Sequence, residues 1–228
     1  MPTLNIRYTE INQRINDACK HYERNPDNIC LLAVSKGQHY SAIKQLYALG
    51  QRQFGESYLN ETLEKQSQLA KLNIEWHYIG RIQSNKTADI AQHFAWVHSV
   101  DRLKIANRLN DQRDNDAPAL NICLQVNINQ ENSKGGVNES DAVALAKEIT
   151  QLPNLRLRGL MALPQRESDI SKQREHFACL RHLRDEINTH GLQLDTLSMG
   201  MSNDFTAAIA EHSTHLRIGS ALFGPRQT

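Results

Sequence analysis

Eight short apolar or β-branched runs, each separated from the next by a stretch of helical periodicity, constrain this 228-residue chain more than any other feature. The runs fall at Ile29–Ser35, Gln53–Gly55, Glu75–Gly80, Trp96–Val100, Leu120–Asn127, Leu155–Met161, Thr196–Met199 and His215–Ile218. Between them, residues 40–49, 58–72, 84–93, 102–114, 139–151, 169–190 and 204–211 place an apolar face opposite charged or amide side chains, which is the pattern of amphipathic helices. Strands joined by helical crossovers pair in parallel, and such crossovers are right-handed. The economical closure is an α/β fold, a single (β/α)8 TIM barrel over residues 1–228 preceded by one N-terminal helix. In that first helix Ile11, Ile15, Ala18, Cys19 and Tyr22 recur at helical spacing, and Asn25-Pro26-Asp27 stops it. Barrels of this kind take about 250 residues, so no second substantial domain fits. A doubly wound open sheet is the alternative, but it offers fewer strands at this length and its dinucleotide fingerprint is missing.

The 26 basic and 25 acidic side chains leave a formal charge of +1, so no global field draws the chain toward nucleic acid or an anionic membrane. Hydrophobic residues make up 39% and charged residues 22%, a globular balance rather than a disordered one. The longest clean apolar run, Ile29 to Val34, is far short of the ~20 residues of a membrane span. Met1-Pro2-Thr3-Leu4-Asn5-Ile6-Arg7 lacks the parts of a secretory signal, and the expected location is the cytoplasm. Cys19, Cys30, Cys123 and Cys179 show neither a C-x-x-C pair nor metal-ligand spacing and read as buried thiols.

In a barrel, functional side chains collect at the carboxyl ends of the strands. Lys36 follows the first run directly. It reads either as a solvated strand stop or as a Schiff-base amine. Two-residue alternation puts it on the side of Cys30, Leu32 and Val34, which could be the barrel interior, where partial desolvation favours the neutral nucleophile. Ser198-Met199-Gly200-Met201-Ser202 and Arg217-Ile218-Gly219-Ser220-Ala221 end the last two runs. Glycines there let the backbone approach a ligand closely, and these are the loops where barrels often hold phosphate. Together with Lys36 they suggest a phosphorylated carbonyl ligand. On the fifth run Asn121, Cys123, Gln125 and Asn127 share one face; if it points inward, hydrogen bonds must compensate its burial.

Other motifs fail. Gly50-x4-Gly55 is followed by Glu56-Ser57 where a phosphate loop needs Lys and Ser/Thr. Ser41-Ala42-Ile43-Lys44 lies on an amphipathic helix without the companion motifs of S-x-x-K enzymes, and Gly200-x-Ser202-x-Asp204 lacks the second glycine of a nucleophile elbow. His77, His93 and His98 form no recognised metal arrangement and read as core or surface histidines.

Taken in order, Leu32-Ala33-Val34-Ser35-Lys36, Phe54-Gly55-Glu56, His77-Tyr78-Ile79-Gly80, Gln83-Ser84-Asn85-Lys86, Ser99-Val100-Asp101, Gln125-Val126-Asn127, Gly159-Leu160-Met161, Ser198 to Ser202 and Arg217-Ile218-Gly219 resemble the pyridoxal-phosphate homeostasis proteins. That family is built like the barrel domain of alanine racemase, and the resemblance covers nearly the whole chain. It implies that Lys36 forms the internal aldimine with pyridoxal 5′-phosphate. It also implies that Ser198, Gly219 and Ser220 lie near the phosphate, with Met199 and Arg217 beside the ring. A guanidinium facing the pyridine nitrogen disfavours ring protonation and weakens the ring as an electron sink. Ser57 stands where the family usually has asparagine, which puts an amide contact from that strand in doubt. Asn85 and Lys86 read as capping or surface residues, and Lys134, in the polar loop 129–136, reads as a surface lysine or a secondary amine.

The expected function is a non-catalytic pyridoxal 5′-phosphate-binding protein acting in vitamin B6 homeostasis, with indirect effects on amino-acid metabolism. The alternative is a small amino-acid racemase. Two-base racemisation needs an acid/base group on each face of the α-carbon, and in alanine racemases one of them is a tyrosine supplied across a dimer from an extra β domain. A phosphosugar-processing barrel enzyme is a weaker third reading. The expected partners are the cofactor and its recipient apoenzymes, with no nucleic acid and no membrane, and the expected state is a monomer.

Overall fold

Thr3 caps the first helix, α1 (Leu4–His21), its hydroxyl accepting from the Ile6 N–H at 3.4 Å. Ile11, Ile15, Ala18 and Cys19 form the buried stripe of α1. The structure, a computed structural model, describes residues 2–129 and 135–224. After α1 come β1 (Cys30–Val34), α2 (Tyr40–Ala48), β2 (Gln53–Glu56), α3 (Leu59–Gln68), β3 (Glu75–Tyr78), α4 (Thr87–His93), β4 (Trp96–Val100), α5 (Leu103–Gln112), β5 (Leu120–Val126) and α6 (Glu139–Ile149). Then follow β6 (Leu155–Ala162), α7 (Ile170–Thr189), β7 (Thr196–Met201), α8 (Phe205–Ala210), β8 (His215–Ile218) and α9 (Ser220–Phe223). The strands pair in chain order, all parallel, and β8 closes on β1 with Cys30 opposite His215 and Leu32 opposite Arg217. The expected eight-stranded barrel with a leading helix is therefore the fold.

Boundaries differ where turn chemistry intervenes. The first helix stops at His21, and Asn25-Pro26-Asp27, expected as its stop, opens a short 3-10 turn at Pro26–Asn28. Proline suits a first helical position, and the Asn25 side chain caps the Asp27 N–H at 3.0 Å. Residues 84–93 likewise split into a 3-10 turn at Ser84–Lys86 and α4.

The pleat sorts the side chains into two layers. Ala33, Phe54, Val97, Ile122, Leu124, Leu160, Leu197, Leu216 and Ile218 face outward and form, with the helices, one large apolar shell. Inside the barrel, Trp96, Cys123 and Met161 make a small apolar cluster among the described residues. The rest of the buried lumen includes His77, His98, Ser198 and Arg217. The polar face of β5 does point inward, and the amides of Asn121 and Gln125 on it are bonded. Asn121 accepts from Arg158 Nη1 and donates to the Ala95 carbonyl, both at 3.2 Å, and Gln125 donates to the Gly135 carbonyl at 2.7 Å. Those bonds offset the desolvation of the amides. Cys19 and Cys123 are buried as expected, whereas Cys30 is half-buried and Cys179 lies exposed on α7.

Two features position the strand ends. At Gly159 on β6 an added Cβ would lie 1.8 Å from the Thr196 carbonyl oxygen of β7, so only glycine permits this approach. Behind the end of β1, a buried ionic clamp grips the turn that carries Lys36. Lys65 on α3 donates to the Ser35 carbonyl at 2.8 Å and to Glu56 Oε1 at 2.7 Å, and it also pairs with Glu61. Ser35 Oγ donates to the same Glu56 oxygen at 2.6 Å, and Glu61 accepts the Gly37 N–H at 2.7 Å. Burial pushes the Glu56 carboxyl above its ordinary value, while the Lys65 charge and the bonds from Lys65 and Ser35 draw it back.

Gly159→Ala is expected to cost about 3 kcal/mol in denaturant unfolding, because β6 and β7 must separate to admit a methyl group. Lys65→Met is expected to cost about 3 kcal/mol by leaving a buried carboxylate unpaired. The sign of its pH dependence follows from the raised carboxyl. The deficit is smallest at acid pH, where Glu56 is protonated in the folded state, and grows as pH rises past the ordinary carboxylate range. Thermal melts of the variant and wild type across that range measure it.

Candidate functional site

At the carboxyl-end mouth of the barrel, a cavity of about 360 Å³ is bounded by the ends of β1, β6, β7 and β8. Lys36, Arg217, Gly219 and Ser220 line it together, as the sequence pattern anticipates. Lys36 comes from the turn just beyond β1, two residues after Val34, and is half-buried on the clamped segment. Its inward direction follows from the pleat, since Leu32, two pleats earlier, pairs with the lumen-facing Arg217.

Arg217 is 4% exposed and forms the floor. Nη1 donates to Ser198 Oγ at 2.8 Å and also to the Ser198 carbonyl, and Nη2 donates to the Ala162 carbonyl at 2.8 Å. Burial brings the guanidinium down to about 10, opposed by the Asp204 carboxylate nearby, so it is charged at neutral pH. Asp204 itself is pushed above its ordinary value by burial and lowered by its bond from the Met201 N–H and by Arg217.

Ser198 and Met199 are not brought to the cavity lining. Ser198 points inward but is fully buried beneath Arg217, where it bonds to both Arg217 and His98. Met199, one residue on, faces the opposite way and packs into the outer apolar shell. The methionines at the cavity are Met161 and Met201. The pairing shifts between Ser198 and Met201, and Gly200 sits at φ +93°, so the strict two-residue phase is lost there.

That shift also delivers residues that strand alternation misses. Ser202, Asn203 and Asp204 line the cavity. Ser202 Oγ accepts from the Ala221 N–H at 3.2 Å and so ties the β7 loop to the turn after β8. The Ser220 hydroxyl has no hydrogen-bond partner among the described residues. Asn85, Lys86 and Ser57 lie outside the lining, with Lys86 reaching Asn60 at 3.4 Å. Lys134 lies outside the described residues. Among the described residues no cluster of His, Cys, Asp or Glu could hold a metal ion, and no helix is long and apolar enough to cross a membrane.

The arrangement offers the primary amine of Lys36, the buried guanidinium of Arg217 with a second from Arg166, two serine hydroxyls and a glycine-bearing backbone turn in a cavity of small-molecule size. Comparisons with known proteins identify the family. The family described as alanine racemase, N-terminal domain, matches residues 6–227. The pyridoxal phosphate homeostasis protein of Pseudomonas aeruginosa is 52% identical over 226 residues, covering 99% of this chain and 97% of the relative. That of Escherichia coli K12 is 46% identical over 220 residues, covering 95% and 94%. PipY of Synechococcus elongatus, solved with PLP bound, superposes with a TM-score of 0.87 at 33% identity, over 97% of this chain and all of its own. Alanine racemase of Clostridium difficile shares the fold at 14% identity, with a TM-score of 0.74, and this chain spans 57% of it. This chain belongs to the pyridoxal phosphate homeostasis protein family, on the barrel of the alanine racemase N-terminal domain.

Proposed function

We propose that the protein binds pyridoxal 5′-phosphate in this cavity and serves intracellular vitamin B6 homeostasis without turning over an amino acid. The observation that carries the reading is the convergence of Lys36 with Arg217, Gly219 and Ser220 on one cavity of about 360 Å³, in a chain 52% identical to a pyridoxal phosphate homeostasis protein. The donor set suits the group: an amine for an aldehyde, hydroxyls and backbone for a phosphate, and a guanidinium for an aromatic nitrogen. When bound, pyridoxal 5′-phosphate supplies an aldehyde that condenses reversibly with a primary amine.

Lys36 presents that amine from a turn fixed by Glu56, Lys65 and Glu61. Ser220, Gly219 and Ser202 hold the phosphate oxygens by hydroxyl and backbone donors. Arg217 meets the ring nitrogen with a charge that keeps a proton off it, which weakens carbanion stabilisation and favours storage over turnover. Ser198 acts from below by holding Arg217, and Met199 backs the strand from the helical side. Phosphate contacts give retention, and a reversible bond at Lys36 permits release to recipient apoenzymes. The protein works as a monomeric, cytoplasmic, one-domain barrel over residues 1–228.

Borohydride reduction of the cofactor-loaded protein, followed by peptide mass mapping, tests the reading. The label is expected on Lys36 and is expected to vanish in Lys36→Ala together with the cofactor's visible absorption band. A label elsewhere removes the central assignment. Alanine enantiomers incubated with the loaded protein are expected not to interconvert at an enzyme-like rate; if they do, the racemase reading replaces this one. Ser220→Ala is expected to weaken cofactor binding about fivefold by deleting one hydroxyl donor, measured by titrating the visible band.

A further inference from the structure

Beneath Arg217 an unbroken line of hydrogen bonds crosses the barrel. Arg217 Nη1 lies 2.8 Å from Ser198 Oγ, and Ser198 Oγ lies 2.8 Å from His98 Nδ1. His98 Nε2 lies 2.9 Å from His77 Nδ1, and His77 Nε2 lies 3.0 Å from Glu75 Oε1. Ser198, His98 and His77 are fully buried, while the Glu75 side chain is 43% exposed. Glu75 begins β3 and Arg217 lies near the end of β8, so the line joins the two mouths of the barrel.

The two ends decide which way every bond runs. A guanidinium only donates and a carboxylate only accepts. The Glu75 carboxylate therefore requires the His77 hydrogen on Nε2, which leaves Nδ1 as an acceptor. His98 must then donate from Nε2 and accept at Nδ1 from the Ser198 hydroxyl. Ser198 Oγ in turn accepts from Arg217. Each joint has one hydrogen and one acceptor, with both imidazoles neutral.

The surroundings support that state. Burial holds both imidazoles below their ordinary values, His98 further because of His77, His215 and Arg217. The bond from His77 draws the Glu75 carboxyl below its own, and Arg158 assists. Trp96 stacks on His77 with ring centroids 5.5 Å apart, and Arg158 lies over Trp96 at 4.9 Å. His215, its Nδ1 3.0 Å from the Thr214 hydroxyl, lies beside both imidazoles and is pushed down to about 3 by burial.

Arg217 spends Nη1 on Ser198 and one Nη2 hydrogen on Ala162, and its Nε–H and second Nη2 hydrogen bond nothing among the described residues. We propose that Glu75, His77 and His98 are positioning residues for Arg217: a carboxylate at one mouth sets the sense of a through-barrel hydrogen-bond chain. At the other mouth that chain presents the remaining N–H groups of Arg217 to the cavity, a role that rests on the cavity being the pyridoxal phosphate site.

Nitrogen NMR of the histidine rings in cofactor-free protein reads the tautomers directly. At neutral pH both His77 and His98 are expected as Nε2–H. Glu75→Gln retains an acceptor oxygen and is expected to keep both tautomers and to bind pyridoxal phosphate within about twofold of wild type. Glu75→Lys puts a donor in its place. Both rings are expected to invert to Nδ1–H, and the dissociation constant is expected to rise about fivefold to tenfold. Nδ1–H rings in the wild type overturn the inference. So do Glu75→Lys rings or affinity that stay unchanged, or a Glu75→Gln variant as impaired as Glu75→Lys. If Glu75→Lys does not fold, Glu75→Ala takes its place, with loss of the uniform Nε2–H state and weaker binding expected. Failure of wild-type protein to bind pyridoxal phosphate while its rings are Nε2–H sinks the cofactor reading and leaves the chain intact.

Discussion

One buried guanidinium sets the terms for this barrel. Arg217 is charged yet only 4% exposed, and such a charge survives burial only when hydrogen bonds and an opposing charge compensate its desolvation. The Ser198 and Ala162 carbonyls and the Ser198 hydroxyl take up three of its hydrogens, and Asp204 supplies the opposing charge. Each polar group recruited for Arg217 needs a partner of its own, so Ser198 leads to His98, then to His77, and the lumen becomes polar. The aliphatic residues are displaced outward, and the main apolar core is a shell between the strands and the helices.

Lys36 and Arg217, both lining the cavity, are held from opposite sides of the same sheet. Lys36 is steadied from outside, where Glu56, Lys65 and Glu61 grip the residues on either side of it. Arg217 is steadied from inside, through Ser198. Neither network borrows a group from the other, so the amine and the guanidinium can each be fixed without the strain of a shared partner. A site that must bind firmly and still release its ligand gains from rigid walls, because little ordering remains to be done on binding.

Periodicity was enough to foresee eight strands, their helices and the inward polar face of β5, because apolar burial in a layered fold follows the pleat and the helical turn. Lys36, Arg217, Gly219 and Ser220 were legible because they stand at strand ends, where chain order alone assigns them to one mouth. Ser202 was legible only as the end of the glycine-bearing stretch Ser198–Ser202, and Asp204 was not, since the irregularity around Gly200 breaks the alternation. Met199 was drawn toward the site by its neighbours in a motif, although the pleat turns it to the helices. His77 and His98 read only as core or surface histidines, and the structure buries both. Their bond to each other depends on how β3 and β4 lie side by side, which neither segment encodes alone. The clamp at Lys65 was hidden for a similar reason, as a lysine on an amphipathic helix resembles a solvated one.

The closing pair of strands lies at opposite ends of the chain, with Cys30 beside His215 and Leu32 beside Arg217. Contacts of such long sequence separation are slow to form, because loop closure must be met before they reward it. The lysine is thus among the earlier parts of the site to be synthesised and the guanidinium among the last. A chain still emerging from the ribosome carries Lys36 without Arg217, and the cavity comes into being only when the final strand docks.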